Sequence, residues 1–343
     1  MSRSSLLLSI LCCACGPTTH GGANTDANGG GDGNQIDPAD AASCASATVM
    51  ATKSPLDLYI MLDQSGSMSE SVSGGGTKWA AVTSALSSFL TQSGLTGISI
   101  GLQYFGLDND TCTASNYATP AVEIAAMPGA STALVNSIAA HSPTSGTPTS
   151  AALQGAIDHA TTWATAHAGD IAAVVFATDG DPEECDTNLT HIDAIAAAGY
   201  AANPKVATFV IGVGSSLSNL NGIAAAGGTT SAFIVDTNSN VNAQFLAAMN
   251  AIRDTASCTY QIPIPASGTP DFSQVNVVYT PSGGAATTIP NVQNKAACPA
   301  TGNGWYYDDP THPTAILLCT STCGTVQASG SVNIALGCDT IVL

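Results

Sequence analysis

Positive charge is scarce in this 343-residue chain: 6 Lys and Arg stand against 24 Asp and Glu, a formal net charge of −18. That balance excludes nucleic acid and anionic membrane surfaces as partners held by charge. It suits metal ions and cationic or metal-bridged ligands. Charge of either sign is thin, at 9 % of residues, so solubility rests on small Ala, Gly, Ser and Thr side chains rather than on ion-pair networks. Catalytic signatures are missing too. Gly212-Val213-Gly214-Ser215-Ser216-Leu217 lacks the third glycine of a dinucleotide loop, and Gly74-Gly75-Gly76-Thr77-Lys78 lacks the Gly-Lys-Ser/Thr order of a phosphate loop. The one Gly-x-Ser-x-Gly match, Gly97-Ile98-Ser99-Ile100-Gly101, lies at the start of an apolar strand-like run rather than at the strand-to-helix turn a nucleophile elbow needs, so the expectation is a protein that is not an enzyme.

What is present begins with a targeting signal at 1–15: Arg3 at the positive end, an apolar core at 6–11, then Ala14 before Cys15. The apolar core is too short to span a bilayer. Cys12-Cys13-Ala14-Cys15-Gly16 resembles the lipobox of bacterial lipoproteins, with Cys12 where such boxes carry Leu, which implies lipidation at Cys15. Plain secretory cleavage is the other reading, and both take the chain out of the cytoplasm. Eight further cysteines, Cys44, Cys112, Cys185, Cys258, Cys298, Cys319, Cys323 and Cys338, make an even set suited to four disulfides in an oxidising compartment. A four-sulfur zinc site from Cys298, Cys319, Cys323 and Cys338 ranks below disulfides, because no two-residue-spaced pairs occur.

Residues 16–43, rich in Gly, Asn, Asp and Ala, read as a flexible linker; their carboxylates lack the spacing of a calcium loop. From residue 44 to 257 apolar runs alternate with stretches of helical period. The runs at 56–62, 98–105, 171–178, 206–213 and 232–235 are continuously apolar, as strands buried on both faces are, and 122–127 adds a short edge strand. Trp79, Val82, Leu86 and Phe89 repeat at helical spacing, as do Leu153, Ala156, Ile157, Ala160 and Ala164, then Leu189, Ile192 and Ile195, then Phe245, Met249 and Ile252. The fold class expected is α/β, a doubly wound, mostly parallel sheet. From 258 to 343 helical period disappears, and short runs between Pro, Gly and Asn turns predict a small disulfide-bonded β module.

The run Asp63-Gln64-Ser65-Gly66-Ser67 follows the first buried strand directly. Ligands of open α/β sheets bind beyond the carboxyl ends of the strands where strand order reverses, and oxygen-only side chains there suit a hard cation. Alone, such a run is also an ordinary polar turn. Two further elements point the same way. The strand at 171–178 ends in Asp179-Gly180, and Ser145-Gly146-Thr147-Pro148-Thr149 opens a helix between the two strands. These three loops resemble those of the von Willebrand factor A (VWA) family with its metal-ion-dependent adhesion site, and the resemblance covers about 200 residues.

The resemblance implies a Rossmann-like VWA domain whose ligands are Asp63, Ser65, Ser67, Thr147 and Asp179 around Mg²⁺, or Mn²⁺ or Ca²⁺. It implies direct coordination by the two serines, direct or water-mediated coordination by Thr147, and mostly water-mediated contact from the two aspartates. An ion with few direct anionic ligands keeps much of its charge, and its open position is expected to take a carboxylate from a protein partner presenting Asp or Glu. Thr149 competes with Thr147 but fits a helix-start hydroxyl better. Family precedent for bridges closing the domain ends pairs Cys44 with Cys258. Cys112 and Cys185, each in a loop on the metal face, are expected to pair and brace it; pairing of the other four stays open. Asp181, Glu183 and Glu184 read as a solvated acidic loop rather than a second cation site, and His141, His159, His167 and His191 as structural histidines. A phosphatase of the haloacid dehalogenase type needs a second Asp where Ser65 stands. The function expected is divalent-metal-dependent binding at the bacterial cell envelope, lipid-anchored or secreted; the alternative is a structural envelope lipoprotein whose metal site is not functional.

Overall fold

The computed structural model of the chain describes residues 47–107, 112–263, 271–328 and 330–343. The expected signal with Cys15, the linker at 16–43 and Cys44 lie outside them. In chain order the first elements are β1 (Ala47–Met50), β2 (Leu56–Asp63), α1 (Lys78–Thr91), β3 (Ile98–Phe105), β4 (Val122–Ala126), α2 (Ser131–Ala140), α3 (Thr149–Ala166) and β5 (Ile171–Thr178). There follow α4 (Leu189–Ala201), β6 (Val206–Val213), α5 (Leu220–Ala226), β7 (Phe233–Val235) and α6 (Val241–Ala256). The last stretch holds β8 (Thr259–Gln261), β9 (Val275–Thr280), β10 (Thr287–Ile289), β11 (Trp305–Tyr307), β12 (Ala315–Leu318), α7 (Thr320–Ala328) and β13 (Ser331–Leu336).

The large sheet has the order β4-β3-β2-β5-β6-β7. All its neighbours run parallel except the edge pair β3 and β4, which is antiparallel. Both faces of the sheet are covered, and the period-two alternation of a strand sorts the side chains. Leu58, Ile60 and Leu62 of β2 pack with Val82, Leu86 and Phe89 of α1 and Phe245, Met249 and Ile252 of α6. Tyr59 and Met61 pack on the other face with Leu153, Ala156 and Ile157 of α3 and Ile192 of α4. Each such fully buried Leu, Ile or Phe contributes roughly 1.5–3 kcal/mol. The helices start where polar caps stand. Thr77 accepts a bond from Ala80 N at α1, Asn188 from Thr190 N at α4, and Asn240 from Ala243 N at α6. From β2 the chain passes outward to β3 and β4 and then crosses to β5 on β2's other side. The carboxyl ends of β2 and β5 therefore flank the point where strand order reverses.

The C-terminal stretch forms two antiparallel sheets, β1-β13-β9-β10 and β11-β12-β8, around a third core of Trp305, Val275, Val277, Ile316 and Ile334. Ala47–Met50, expected at the start of the α/β domain, instead pairs with β13 in the first of these sheets, Ala47 opposite Leu336. Gln261 N donates to Thr52 O, and Ser54 N donates to Thr259 O, so the chain enters the large sheet through the C-terminal module. Lys205 Nζ reaches Asp308 O at 3.0 Å and Lys295 Nζ reaches Gly228 O at 2.7 Å, two further ties between the parts.

The cysteine pairing corrects one expectation. Cys258 is bonded to Cys323, not to Cys44, and Cys298 to Cys319. Cys338 is in a disulfide as well, so none of the four sulfurs weighed for zinc is a free thiolate. The physical reason is α7, a helix in a stretch expected to be all β. Its residues Thr-Ser-Thr-Cys-Gly-Thr-Val-Gln-Ala carry no apolar stripe. The bridge from Cys323 to Cys258, just past the end of α6, together with burial of Cys323 and Val326 in the third core, holds it in place.

Candidate functional site

Asp63 is the last residue of β2, and its buried carboxylate is held from three directions. Oδ1 accepts from Ser65 N at 2.8 Å; Oδ2 accepts from Thr178 Oγ1 at 2.7 Å and from Asp179 N at 3.3 Å. The chain then turns through a 3-10 turn, Gly66–Ser69, which brings Ser67 beside Ser65 with their hydroxyls 3.0 Å apart. Asp179 follows β5. Its Oδ1 accepts from Ser67 Oγ at 2.7 Å and lies 3.4 Å from Ser65 Oγ. Three oxygens from two loops thus converge, and Ser67, half-buried between exposed Gly66 and buried Met68, is where the cluster meets solvent.

The loop 144–148 is stitched to both of these loops through its backbone. Thr144 N donates to Gln64 O at 2.8 Å and Gly66 N donates to Ser145 O at 2.8 Å. Glu183 N, from the loop after Asp179, donates to Thr147 O at 3.3 Å. Thr147 is buried between its neighbours, though its hydroxyl makes none of the bonds that link the other four residues. Thr149 Oγ1 is buried without a hydrogen-bond partner. Gly106, at the exit of β3, is required where these loops meet. Its φ is +81°, and a Cβ there would stand 2.7 Å from Ser65 N and 2.9 Å from Gly146 O.

Electrostatically the site is two buried carboxylates with one internal cation. Burial, and then the neighbouring charge of Asp179, lifts the Asp63 carboxyl to about 6 despite the bonds from Ser65 and Thr178 that pull it down. Lys78, first residue of α1, sends its ammonium to Asp179 Oδ2 at 2.9 Å and to Glu70 Oε2 at 2.6 Å. Its side chain is only 10 % exposed and that of Asp179 is 0 % exposed. Burial alone lowers a lysine, but the bonds and charges of Glu70 and Asp179 outweigh it and hold Lys78 above its ordinary value. The loop between Glu70 and Lys78 closes on itself, with Ser71 bridged to Thr77 and Lys78 N donating to Glu70 O at 2.9 Å.

Around this cluster, Cys112 and Cys185 are disulfide-bonded across 73 residues, tying the loop after β3 to the one after Asp179. Asp181, Glu183 and Glu184 are exposed; Asp181 accepts a bond from Asn219, and the Glu184 carboxylate lies against Gly146. The four histidines lie elsewhere in structural contacts. His141 stacks on Tyr104 and His167 on Trp163, while His159 pairs with Glu123 and His191 with Asp186. Among the described residues no group of three or more His, Cys, Asp or Glu is placed to hold a metal ion.

The donor set fits a small hard cation. Octahedral coordination at 2.0–2.1 Å places neighbouring ligand oxygens about 3 Å apart. The 3.0 Å separation of Ser65 Oγ and Ser67 Oγ matches that edge, and Asp179 Oδ1, 3.4 and 2.7 Å from them, accepts from both hydroxyls beside it. Sequence reasoning missed Thr178, Glu70 and Lys78. Lys78 carried a signal, being one of six basic residues in the chain and eleven positions after Ser67.

The family model for the von Willebrand factor type A domain matches residues 57–247. No curated protein matches the chain. Among solved structures it is similar to the conserved hypothetical protein BatB from Bacteroides thetaiotaomicron, at 19 % identity over 58 % of this chain and 98 % of that one, TM-score 0.41. It is also similar to the pilus adhesin SpaC from Lactobacillus rhamnosus GG, at 14 % identity over 84 % of this chain and 40 % of that one, TM-score 0.44. A third is the manganese-loaded TRAP protein of Plasmodium vivax, at 16 % identity over 58 % of this chain and 76 % of that one, TM-score 0.37.

Proposed function

Because the chain belongs to the von Willebrand factor type A domain family, whose domains are generally non-enzymatic modules for protein–protein adhesion, we propose that the cluster at the ends of β2 and β5 is a divalent-metal-dependent binding site. Ser65 and Ser67 would supply direct hydroxyl ligands, Thr147 a hydroxyl directly or through water, and Asp63 and Asp179 would act mostly through bound water while anchoring the serines. Mg²⁺ is the ion the spacing favours, with Mn²⁺ close to it in size; the longer bonds of Ca²⁺ suit a wider set of oxygens. When bound, the ion supplies an electrophilic position for a carboxylate of a protein partner. The carrying observation is the convergence of Ser65 Oγ, Ser67 Oγ and Asp179 Oδ1 within 3.4 Å of one another, from loops more than a hundred residues apart.

The residues behind the cluster keep it in shape. Thr178 and Ser65 N fix Asp63 so that it cannot swing out, and Gly106 lets the loop after β3 pass close under Ser65. With both carboxylates fixed and buried, Lys78 paired to Asp179 and the neutral Ser67 hydroxyl at the solvent boundary, the loaded site would present more positive than negative charge. An acidic protein thereby gains one place on its surface for an acidic group. The disulfides fit an oxidising, extracytoplasmic setting, and among the described residues no helix is long and apolar enough to cross a membrane. Attachment to the bacterial envelope through a lipid on Cys15 belongs to the same proposal.

One observation favours the alternative, an envelope protein of structural role with a non-functional metal site. Lys78 already neutralises Asp179. Titration calorimetry of the purified protein with Mg²⁺ decides: wild type is expected to bind and Asp63→Ala to lose binding, and equal affinities refute the site. A pull-down from cell-envelope extract with and without EDTA then separates the readings, since the structural role predicts no effect of the chelator.

A further inference from the structure

The chain places one of its few cations beside a pair of buried carboxylates. Of the basic residues among those described, Lys205 and Lys295 donate to backbone carbonyls of the neighbouring module, and Arg253 pairs with its sequence neighbour Asp254. Lys78 alone pairs with a fully buried carboxylate. Its placement is built in: the closed loop from Ser71 to Thr77 and the Thr77 cap fix the start of α1, and Glu70, 65 % exposed, holds the ammonium from the solvent side at 2.6 Å. The ammonium takes Oδ2 of Asp179, and Ser67 and Ser65 face Oδ1.

We propose that Lys78 is a resident counter-cation that sets the metal affinity of the site and the charge it shows to a partner, acting through Asp179 as a positioning residue. This rests on the metal-site reading above. Counting buried side chains only, Asp63, Asp179 and Lys78 together carry one net negative charge, against two without the lysine. A divalent cation turns the first into a net positive site and the second into a neutral one. Lys78 therefore weakens metal binding and strengthens the pull of the loaded site on a carboxylate. It also keeps the metal-free loops together by giving Asp179 a partner that is always present, which reconciles the pre-formed cluster with the family's metal dependence.

The test is titration calorimetry with Mn²⁺ alone, at one pH, on wild type, Lys78→Met, Lys78→Gln, Lys78→Arg and Asp63→Ala, with thermal melts of each in EDTA and in Mn²⁺. Lys78→Met and Lys78→Gln are expected to bind Mn²⁺ at least tenfold more tightly than wild type, and Lys78→Arg within threefold of it. In EDTA the two neutral variants melt below wild type, and Mn²⁺ raises their Tm by more than it raises that of wild type. Gln keeps a hydrogen-bond donor near Asp179, so it reports on charge should Met fail to fold. Unchanged or weaker Mn²⁺ binding in the neutral variants, with binding lost in Asp63→Ala, overturns the role of Lys78 and leaves the metal site standing. Binding by Asp63→Ala equal to wild type, or no binding by any variant, overturns the site and this proposal with it.

Discussion

Thr178→Val removes a single oxygen and nearly nothing else. In the folded protein that hydroxyl donates to Asp63 Oδ2 at 2.7 Å, with Thr178 1 % and Asp63 0 % exposed. A buried hydrogen bond to a charged acceptor contributes roughly 1.5–3 kcal/mol, and its loss is felt in full because water cannot replace the donor. Oδ2 keeps only the 3.3 Å bond from Asp179 N, while Oδ1 keeps Ser65 N. Metal-free Thr178→Val is therefore expected to be about 2 kcal/mol less stable than wild type, or some 4–8 °C in Tm for a unit of this size. The assay is equilibrium unfolding in guanidinium with EDTA, where Thr178→Ser, which keeps the hydroxyl, serves as control. Since the Thr178 bond is one of those that hold the Asp63 carboxyl down, NMR should also find that carboxyl moved further up in the Val variant. Val and Ser variants of equal stability would refute the idea that Thr178 anchors Asp63.

The remaining predictions concern the same face. In the metal-free protein Asp63 titrates near 6, above the value of about 4 in an unfolded chain. The folded state takes up this proton first as pH falls, so at this group stability grows from about pH 7 down to 4 and is lost as pH rises through that window. Carboxyl NMR should find that midpoint, and a midpoint at or below 4 would contradict it; Mg²⁺ binding should weaken below about pH 6, where the ion must displace the proton. Gly106→Ala puts a methyl at positive φ and against Ser65 N, and is expected to cost at least about 2 kcal/mol and to reduce metal affinity. A melt within 1 °C of wild type would count against it. Replacing Cys112 and Cys185 by Ala opens a 73-residue loop and is expected to lower stability by up to about 4 kcal/mol, read by guanidinium unfolding. No change would mean that the bridge does not brace this face.

The large sheet was legible because strands buried on both faces advertise themselves as continuous apolar runs. Leu56–Asp63 and Val206–Val213 end within a residue of where hydropathy puts them. Two of the three loops were legible because the ends of β2 and β5 locate them, and the third because its Gly146-Thr147 stands where a helix opens. Elements that depend on distant chain were not. Ala47–Met50 becomes a strand only because β13, nearly three hundred residues on, offers its edge. α7 has no stripe to betray it, and the Cys258 partner depends on where α7 lands. α2 is short, with only Leu134 and Ile138 buried, too few to set a period. Within the site, Asp63, Ser65, Ser67 and Asp179 came from their order, whereas Lys78 reaches Asp179 only because the Ser71 to Thr77 loop doubles back. A sequence pattern shows which residues follow a strand; it does not show which charge a loop returns to them.

The measurement closest to the central claim is anomalous diffraction from crystals of the protein grown with saturating Mn²⁺. The account predicts one strong peak about 2.2 Å from both Ser65 Oγ and Ser67 Oγ, on the side of Thr147, with Lys78 still paired to Asp179. Crystals at saturating Mn²⁺ with no peak among these oxygens, or with the ion elsewhere on the chain, would contradict it.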